Sequence, residues 1–393
     1  MPVSTIRKKG LSFSSILLYL LGIIGVGLVV FFGAEVAKNI GNLGGKSALT
    51  VDVLNGKAEV YVNGTKVGET PYNSKDIKPG ENKITLKSGN RQYETSINFL
   101  PNNNKYMPAV GIFRDLGVSD FFSSGQEFWF EKESAGDALR IISDPSEASV
   151  FVDNTEIGKT PFTSNSLSEG DYDMRVEYPG YEAQTARIRI KKGYTLNISL
   201  KLFPVPVPSK VSAFEGSPNI FDLSSSDSHI VSDTQSWVNA VIYWNKTRGI
   251  NLEGLGLNKA GVFDYFLDYK GNIFDGNGVF AAQEEDLKKI KDAKRGGYLG
   301  RISDGTGLTK EAKDALLKLS TLGVGGKEAQ IKETGLGWLR VRDNPSLNGK
   351  EISRVNTGQT FPVLEEKPDW VKIKVSDTIS GWISAQYVTL LPQ

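Results

Sequence analysis

One histidine, His229, stands among 393 residues, and there is no cysteine. Those two facts bound the chemistry before any element is placed. Thiolate metal sites, disulfide frameworks and cysteine nucleophiles are excluded, and so is any catalyst needing two imidazoles from one chain. His229 lies in "SSSDSHIVSD", a polar stretch that reads as a loop. A Ser-His-Asp triad needs a strand–turn–helix elbow to hold its serine, and no such pattern occurs. The glycine cluster "GNLGG" neither follows a strand nor opens a helix, so it is not a phosphate-binding loop. Glu284 and Glu285 begin a charged helical stretch and read as a solvated face. The remaining chemistry is recognition. Trp129, at the centre of "EFWFE", is either part of a buried strand joining two domains or a platform on which a sugar ring stacks.

Charge narrows the partners. Lys plus Arg number 46 and Asp plus Glu 45, for a net charge of +1, which gives no reason to expect nucleic acid. The strongest partner signal is a lipid bilayer. Residues 1–10 contain "IRKKG", with three cations and no acid, and residues 11–34 carry the apolar run Ile16–Phe32. A helix of this length suffices for a hydrocarbon core that takes about 20 residues. The basic flank predicts a cytoplasmic N-terminus with the bulk outside. Cleavage of the segment as a signal peptide is the alternative.

Beyond it the chain repeats itself. "AEVYVNGTKVGETPY" at Ala58–Tyr72 returns ninety residues later as "ASVFVDNTEIGKTPF" at Ala148–Phe162, with seven of fifteen positions identical. Apolar residues alternate, which predicts strands. Asn63-Gly64 and Asp153-Asn154 predict two-residue hairpin turns. Each copy is a small all-β unit, at 48–100 and 138–202. On Ala58, Gly64, Gly68, Thr70-Pro71 and "KPGEN", and on Ala148, Gly158, Thr160-Pro161 and "SEGDYDMRVEYPGYEA", the copies resemble PEGA domains. The resemblance implies small β-sandwich modules of extracytoplasmic surface proteins and names no reaction. Residues 101–137 read as an aromatic-rich connector, and 203–211, with Pro204, Pro206 and Pro208, as a stiff spacer.

Residues 212–330 predict an α+β domain. "TQSWVNAVIYWNKT", "EEDLKKIKDAKR" and "LTKEAKDALLKLS" have helical spacing, the last with Thr309 as its cap; "VFDYFLDYKGNIFDG" reads as a hairpin turning at Tyr269–Asn272. "VIYWNKTRGI" and "FDYFLDYKGNIFDGNG" are similar to stretches of a zinc-dependent peptidoglycan amidase, in degenerate form. The resemblance makes His229 a candidate first ligand and places Asp264 near where a histidine is expected. Catalytic zinc takes three protein ligands, and this set falls short. The expectation is therefore no enzyme and no cofactor, with 212–330 either an inactive amidase-like scaffold or an unrelated α+β domain, and a zinc-dependent N-acetylmuramoyl-L-alanine amidase as the alternative.

Residues 331–393 predict a small barrel of five or six strands separated by turn signals. Trp338, Val341, Arg342, Pro345, Ser346, Gly358, Trp370, Val371, Ile373, Gly381, Trp382, Ile383, Tyr387 and Val388 strongly resemble bacterial SH3-like domains. That family implies binding of cell-wall peptides. Arg342, Asp343, Asn344 and Tyr387 are the candidate surface contacts, while Trp370 and Trp382 read as core. The whole predicts a mainly β, multidomain protein: a transmembrane helix, two small β-sandwiches, an α+β domain and an SH3-like barrel. Its expected role is a single-pass, extracytoplasmic envelope protein that tethers to or recognises peptidoglycan.

Overall fold

The computed structural model describes residues 45–102, 107–132, 138–214, 217–254, 256–258, 261–290, 293–322, 327–376 and 378–392. The predicted membrane segment at 11–34 lies outside the described residues; among the described ones no helix is long and apolar enough to cross a membrane. The chain is mainly β and divides into two compact units. One holds residues up to Pro206 together with Asn239–Gly249; the other holds Val207–Val238 and Ile250–Gln393.

The first unit contains both repeats. Copy one supplies β1 (Ser47–Val53), β2 (Glu59–Val62), β3 (Thr65–Glu69), β4 (Tyr72–Ile77), β5 (Gly80–Ser88), β6 (Arg91–Phe99) and β7 (Ala109–Asp115). Then come β8 (Ser124–Lys132) and copy two: β9 (Leu139–Asp144), β10 (Ser149–Val152), β11 (Thr155–Lys159), β12 (Phe162–Ser164), β13 (Gly170–Glu177), β14 (Tyr181–Glu182), β15 (Gln184–Ile190), β16 (Tyr194–Lys201) and β17 (Phe203–Pro204). Asn63, Gly64, Asp153 and Asn154 all take positive φ, as two-residue hairpin turns require.

The residues shared by the copies have mechanical reasons. Thr70 and Thr160 each fix the corner where the chain leaves one sheet for the other. The Thr70 N–H donates to the Ala58 carbonyl at 2.9 Å, and its Oγ1 accepts from the Ala58 N–H at 3.0 Å. Thr160 and Ala148 repeat this at 2.9 and 3.1 Å. Gly68 and Gly158 give way to the aromatic ring after the proline: a Cβ on them would come within 2.9 Å of Tyr72 and 2.7 Å of Phe162.

The sandwiches are not independent. One seven-stranded sheet runs β12-β9-β16-β8-β7-β1-β4 through both copies, and each copy adds its own four-stranded sheet, β3-β2-β5-β6 or β11-β10-β13-β15. The predicted connector at 101–137 therefore contains two integral strands. Strand β7 closes copy one by pairing parallel to β1, as β16 pairs with β9 in copy two. Strand β8 lies antiparallel between β7 and β16. Strand side chains alternate between faces, so β8 serves both cores. Trp129 packs with the first core, around Val51, Ile84 and Ile112. Phe128 and Phe130 pack with the second, around Ile141, Val176 and Ile198. The two smaller sheets consequently cover opposite faces of the shared one. The predicted proline spacer is also built in at its start: Phe203 is fully buried, and β17 pairs with β14.

In the second unit, β18 (Ala213–Phe214), β19 (Ser217–Asp222), β22 (Tyr265–Asp268), β23 (Ile273–Asp275) and β24 (Gly296–Leu299) form a mixed sheet ordered β18-β19-β24-β22-β23, beside a small hairpin of β20 (Ile250–Leu252) and β21 (Gly256–Asn258). Helices α1 (Ser228–Ser232), α3 (Glu284–Ile290) and α4 (Lys310–Leu322) fall in the same unit, while α2 (Thr234–Thr247) belongs to the first unit from Asn239 onward. Leu267, Ile273, Leu287, Tyr298 and Ala312 centre its core. Asp268 closes the predicted hairpin turn by accepting the N–H groups of Lys270 and Asn272 at 2.9 and 2.8 Å. Thr309 Oγ1 accepts the Ala312 N–H at 3.2 Å, capping α4 as predicted.

The last domain comprises β25 (Lys327–Ile331), β26 (Trp338–Arg342), β27 (Glu351–Asn356), β28 (Thr360–Lys367), β29 (Trp370–Lys374), β30 (Ser380–Ser384) and β31 (Val388–Pro392), in one sheet ordered β27-β26-β30-β29-β28-β25-β31. Strand β25 precedes the predicted boundary at 331; Ala329 and Ile331 are buried with Val341, Val371, Ile373 and Ile383.

Candidate functional site

The predicted contacts of the C-terminal domain begin at the end of β26. Arg342 is half-buried and its Nη1 donates to the Gly349 carbonyl at 2.6 Å. Asp343 is exposed; its N–H donates to the Lys350 carbonyl at 3.1 Å and its Oδ1 accepts the Lys350 N–H at 2.9 Å. The exposed Asn344 turns the chain, its carbonyl accepting the Ser346 N–H at 2.9 Å. These three residues pinch a loop that presents Leu347, 77 % exposed, at its tip. Tyr387 is half-buried in a short 3-10 turn, where its carbonyl accepts the Lys332 N–H at 2.9 Å. No hydrogen bond or ion pair joins it to the Arg342–Asn344 group among the described residues. Trp382 is buried, and its neighbour Gly381 lies against Val341 and the Arg342 carbonyl, where a Cβ would come within 2.6 and 2.7 Å.

Sequence reasoning missed a second half-buried aromatic surface on this domain. Trp338 and Arg340 alternate with the inward Leu339 and Val341 on β26, and Arg354 is the pairing partner of Arg340 on β27. Arg354 lies 4.0 Å from the centroid of the Trp338 ring and Arg340 lies 5.4 Å from it. Glu351 accepts from both guanidiniums, at 2.9 Å from Arg340 and 2.5 Å from Arg354. The Arg354 bond, followed by Arg340, holds its carboxyl below the usual carboxylate range. A half-buried indole flanked by two oriented guanidiniums offers a sugar or peptide ligand one apolar wall and a set of directed donors. The signal was present in "WLRVR" opposite "EISRV", once strand pairing is known.

The metal candidates fare differently. His229 lies in α1 with its side chain 78 % exposed, next to Asp227, which caps the helix. Asp264 spends Oδ2 on two backbone N–H groups, of Lys294 at 2.9 Å and Arg295 at 2.8 Å. It is a loop fastener. Among the described residues no three His, Asp or Glu side chains gather as a metal site. Trp129 is half-buried in β8 against the first core, with its indole N–H 3.4 Å from Glu131 Oε1. That packing is what the buried-strand alternative expects of Trp129.

A second unforeseen cluster lies in the first unit. Arg248 binds Glu182 through Nε at 3.2 Å and Nη2 at 2.7 Å, and reaches Asp115 Oδ2 at 2.9 Å. Its guanidinium also lies 4.7 Å from the Phe203 ring centroid. Tyr243 donates to Asp115 Oδ1 and stacks on Phe203 at 6.1 Å. Burial opposes the Arg248 charge, but Glu182 and Asp115 outweigh it and hold its pKa above the ordinary value. This cluster fastens residues 239–249 to the β framework and gives "WNKTRG" a structural job.

Residues 46–107 and 137–206 match the family model described as PEGA domain, and residues 336–389 match that described as bacterial SH3 domain. No curated protein and no solved structure matches the chain. Two PEGA domains and a bacterial SH3 domain fit an extracellular, cell-wall-associated role.

Proposed function

We propose that this protein is a membrane-anchored envelope tether whose C-terminal SH3-like barrel recognises peptidoglycan. The observation that carries the reading is the pairing of a bacterial SH3 match at 336–389 with a half-buried Trp338 flanked by Arg340 and Arg354 on that same domain. The β framework supports it from the other end. A sheet that runs unbroken through both PEGA copies, with a core on each face, resists bending at their junction as two linked domains would not. Confinement by the apolar segment Ile16–Phe32 raises the effective concentration of the barrel at the wall, so weak binding per module suffices.

Orientation is tested by protease added to intact spheroplasts. The reading expects digestion of everything after about residue 40, with the remnant in the membrane fraction. Full protection, or recovery of the intact chain in the soluble cytoplasmic fraction, contradicts it.

A further inference from the structure

The two sandwiches are copies, so each position in one has a counterpart showing what packing alone requires. In copy one Val51 pairs with Ile112 and Val53 with Arg114; in copy two Ile141 pairs with Ile198 and Ser143 with Leu200. Arg114 thus stands where the second copy has a leucine buried in its core. The strand beside it has changed too. Leu86 pairs with Tyr93 in copy one, and Val176 pairs with Gln184 in copy two.

Arg114 is only 6 % exposed, and its guanidinium lies 3.8 Å from the Tyr93 ring centroid. Its Nε is enclosed without a hydrogen-bond partner, and no ion pair reaches its side chain among the described residues. Burial brings its pKa down to about 10 against the favourable charge of the adjacent Asp115, so it stays cationic at neutral pH. The adjacent Asp115 is taken up by Arg248, Tyr243 and the Gly117 N–H. A buried charge with no ion-pair partner of its own is costly, and copy two shows that packing does not demand one.

The surroundings form a receptacle. Arg114 and Lys201 both pair with Gly125, so the three stand in one row across β7, β8 and β16 on the same face of the shared sheet. Gly125 keeps the floor open: a Cβ there would lie 2.4 Å from Arg114 Cδ and 2.6 Å from the Phe113 carbonyl. The row opens into a cleft of about 300 Å³ whose walls include Arg91, Tyr93, Leu116 and Ser123. Arg91 and Lys201 are paired with Asp120 and Asp144, whose side chains are 92 % and 73 % exposed. Such surface partners yield readily to a better ligand. Glu94, also on the wall, is held by Lys83 at 2.9 Å.

We propose that this cleft binds an oxyanion, a phosphate or carboxylate group, through Arg114, with Lys201 and Arg91 at its rim. A planar guanidinium over the Tyr93 ring, 3.8 Å from its centroid, carries its donors in one plane, the geometry that pairs with two oxygens of one anion. The site is independent of the barrel and of wall binding.

The test is calorimetric titration of the full chain in detergent, at low salt, with inorganic phosphate and separately with D-glucuronate. Wild type binds at least one of them with Kd below about 10 mM, and the preferred arm assigns the anion class. Arg114→Leu installs the residue of the other copy; it keeps the urea midpoint and weakens binding roughly tenfold or more. Lys201→Gln, a surface change, weakens it about threefold. Absence of binding in both arms, or unchanged affinity in Arg114→Leu, overturns the proposal. Should Arg114→Leu fold poorly, unchanged affinity in Lys201→Gln overturns it equally.

Discussion

Glu127 gives the sharpest physical prediction. It sits on β8 facing the first core, 5 % exposed, and its Oε2 accepts from the Thr95 hydroxyl at 3.0 Å while Oε1 has no partner. Burial raises its pKa from 4.5 to about 7. In the unfolded chain the same carboxyl loses its proton near 4.5. Between these values the folded state holds a proton that the unfolded state has released, so stability falls as pH rises through this window. At about 1.4 kcal/mol per pH unit, the full effect is roughly 3 kcal/mol, complete above pH 7 and absent below 4.5. Glu127→Gln keeps the shape and removes the titration. Urea unfolding at pH 4.5 and pH 8, with amide exchange in peptides spanning 124–132 to report on this unit, measures the difference. The variant gains about 2–3 kcal/mol over wild type on going from pH 4.5 to pH 8. Equal pH dependence in the two proteins would refute the argument that burial alone sets this group's ionisation.

Other consequences are simpler. Arg248→Gln leaves Asp115, 1 % exposed at its side chain, without its cation, and should destabilise the first unit by about 3–5 kcal/mol in urea unfolding; Glu182→Gln, at the exposed side of the cluster, should cost much less. Gly381→Ala drives a Cβ against Val341 and the Arg342 carbonyl and should destabilise the barrel by about 1–3 kcal/mol, seen as lost exchange protection in 338–342 and 380–384.

What could be read directly from the sequence was local. The Asn63-Gly64 and Asp153-Asn154 turns, the Thr309 cap and the hairpin after Asp268 follow from backbone preferences within a few residues. The Gly-x-Thr-Pro-aromatic motif was visible as a repeat; only the packing of Tyr72 and Phe162 on those glycines explains it. Long-range pairing was not legible. Strand β7 joins β1 in parallel across some sixty residues, so its stretch looked like connector. "EFWFE" read correctly as a strand, but alternation alone could not reveal two cores on its opposite faces. Proline spacing in 203–211 suggested an extended segment, and Phe203 is buried by partners remote in sequence, Tyr243 and Trp244. Of the candidate contacts, Arg342, Asp343 and Asn344 shape a loop, whereas the Trp338 surface emerges only from the pairing of β26 with β27.

The most direct test of the tether is co-sedimentation of the detergent-solubilised chain with purified insoluble peptidoglycan, compared with Trp338→Ala and with a chain lacking 327–393. The account predicts that wild type pellets with the wall, that Trp338→Ala pellets several-fold less, in line with the loss of roughly 1–2 kcal/mol of ring contact, and that the shortened chain stays in solution. Equal pelleting of all three, or none by wild type, contradicts it.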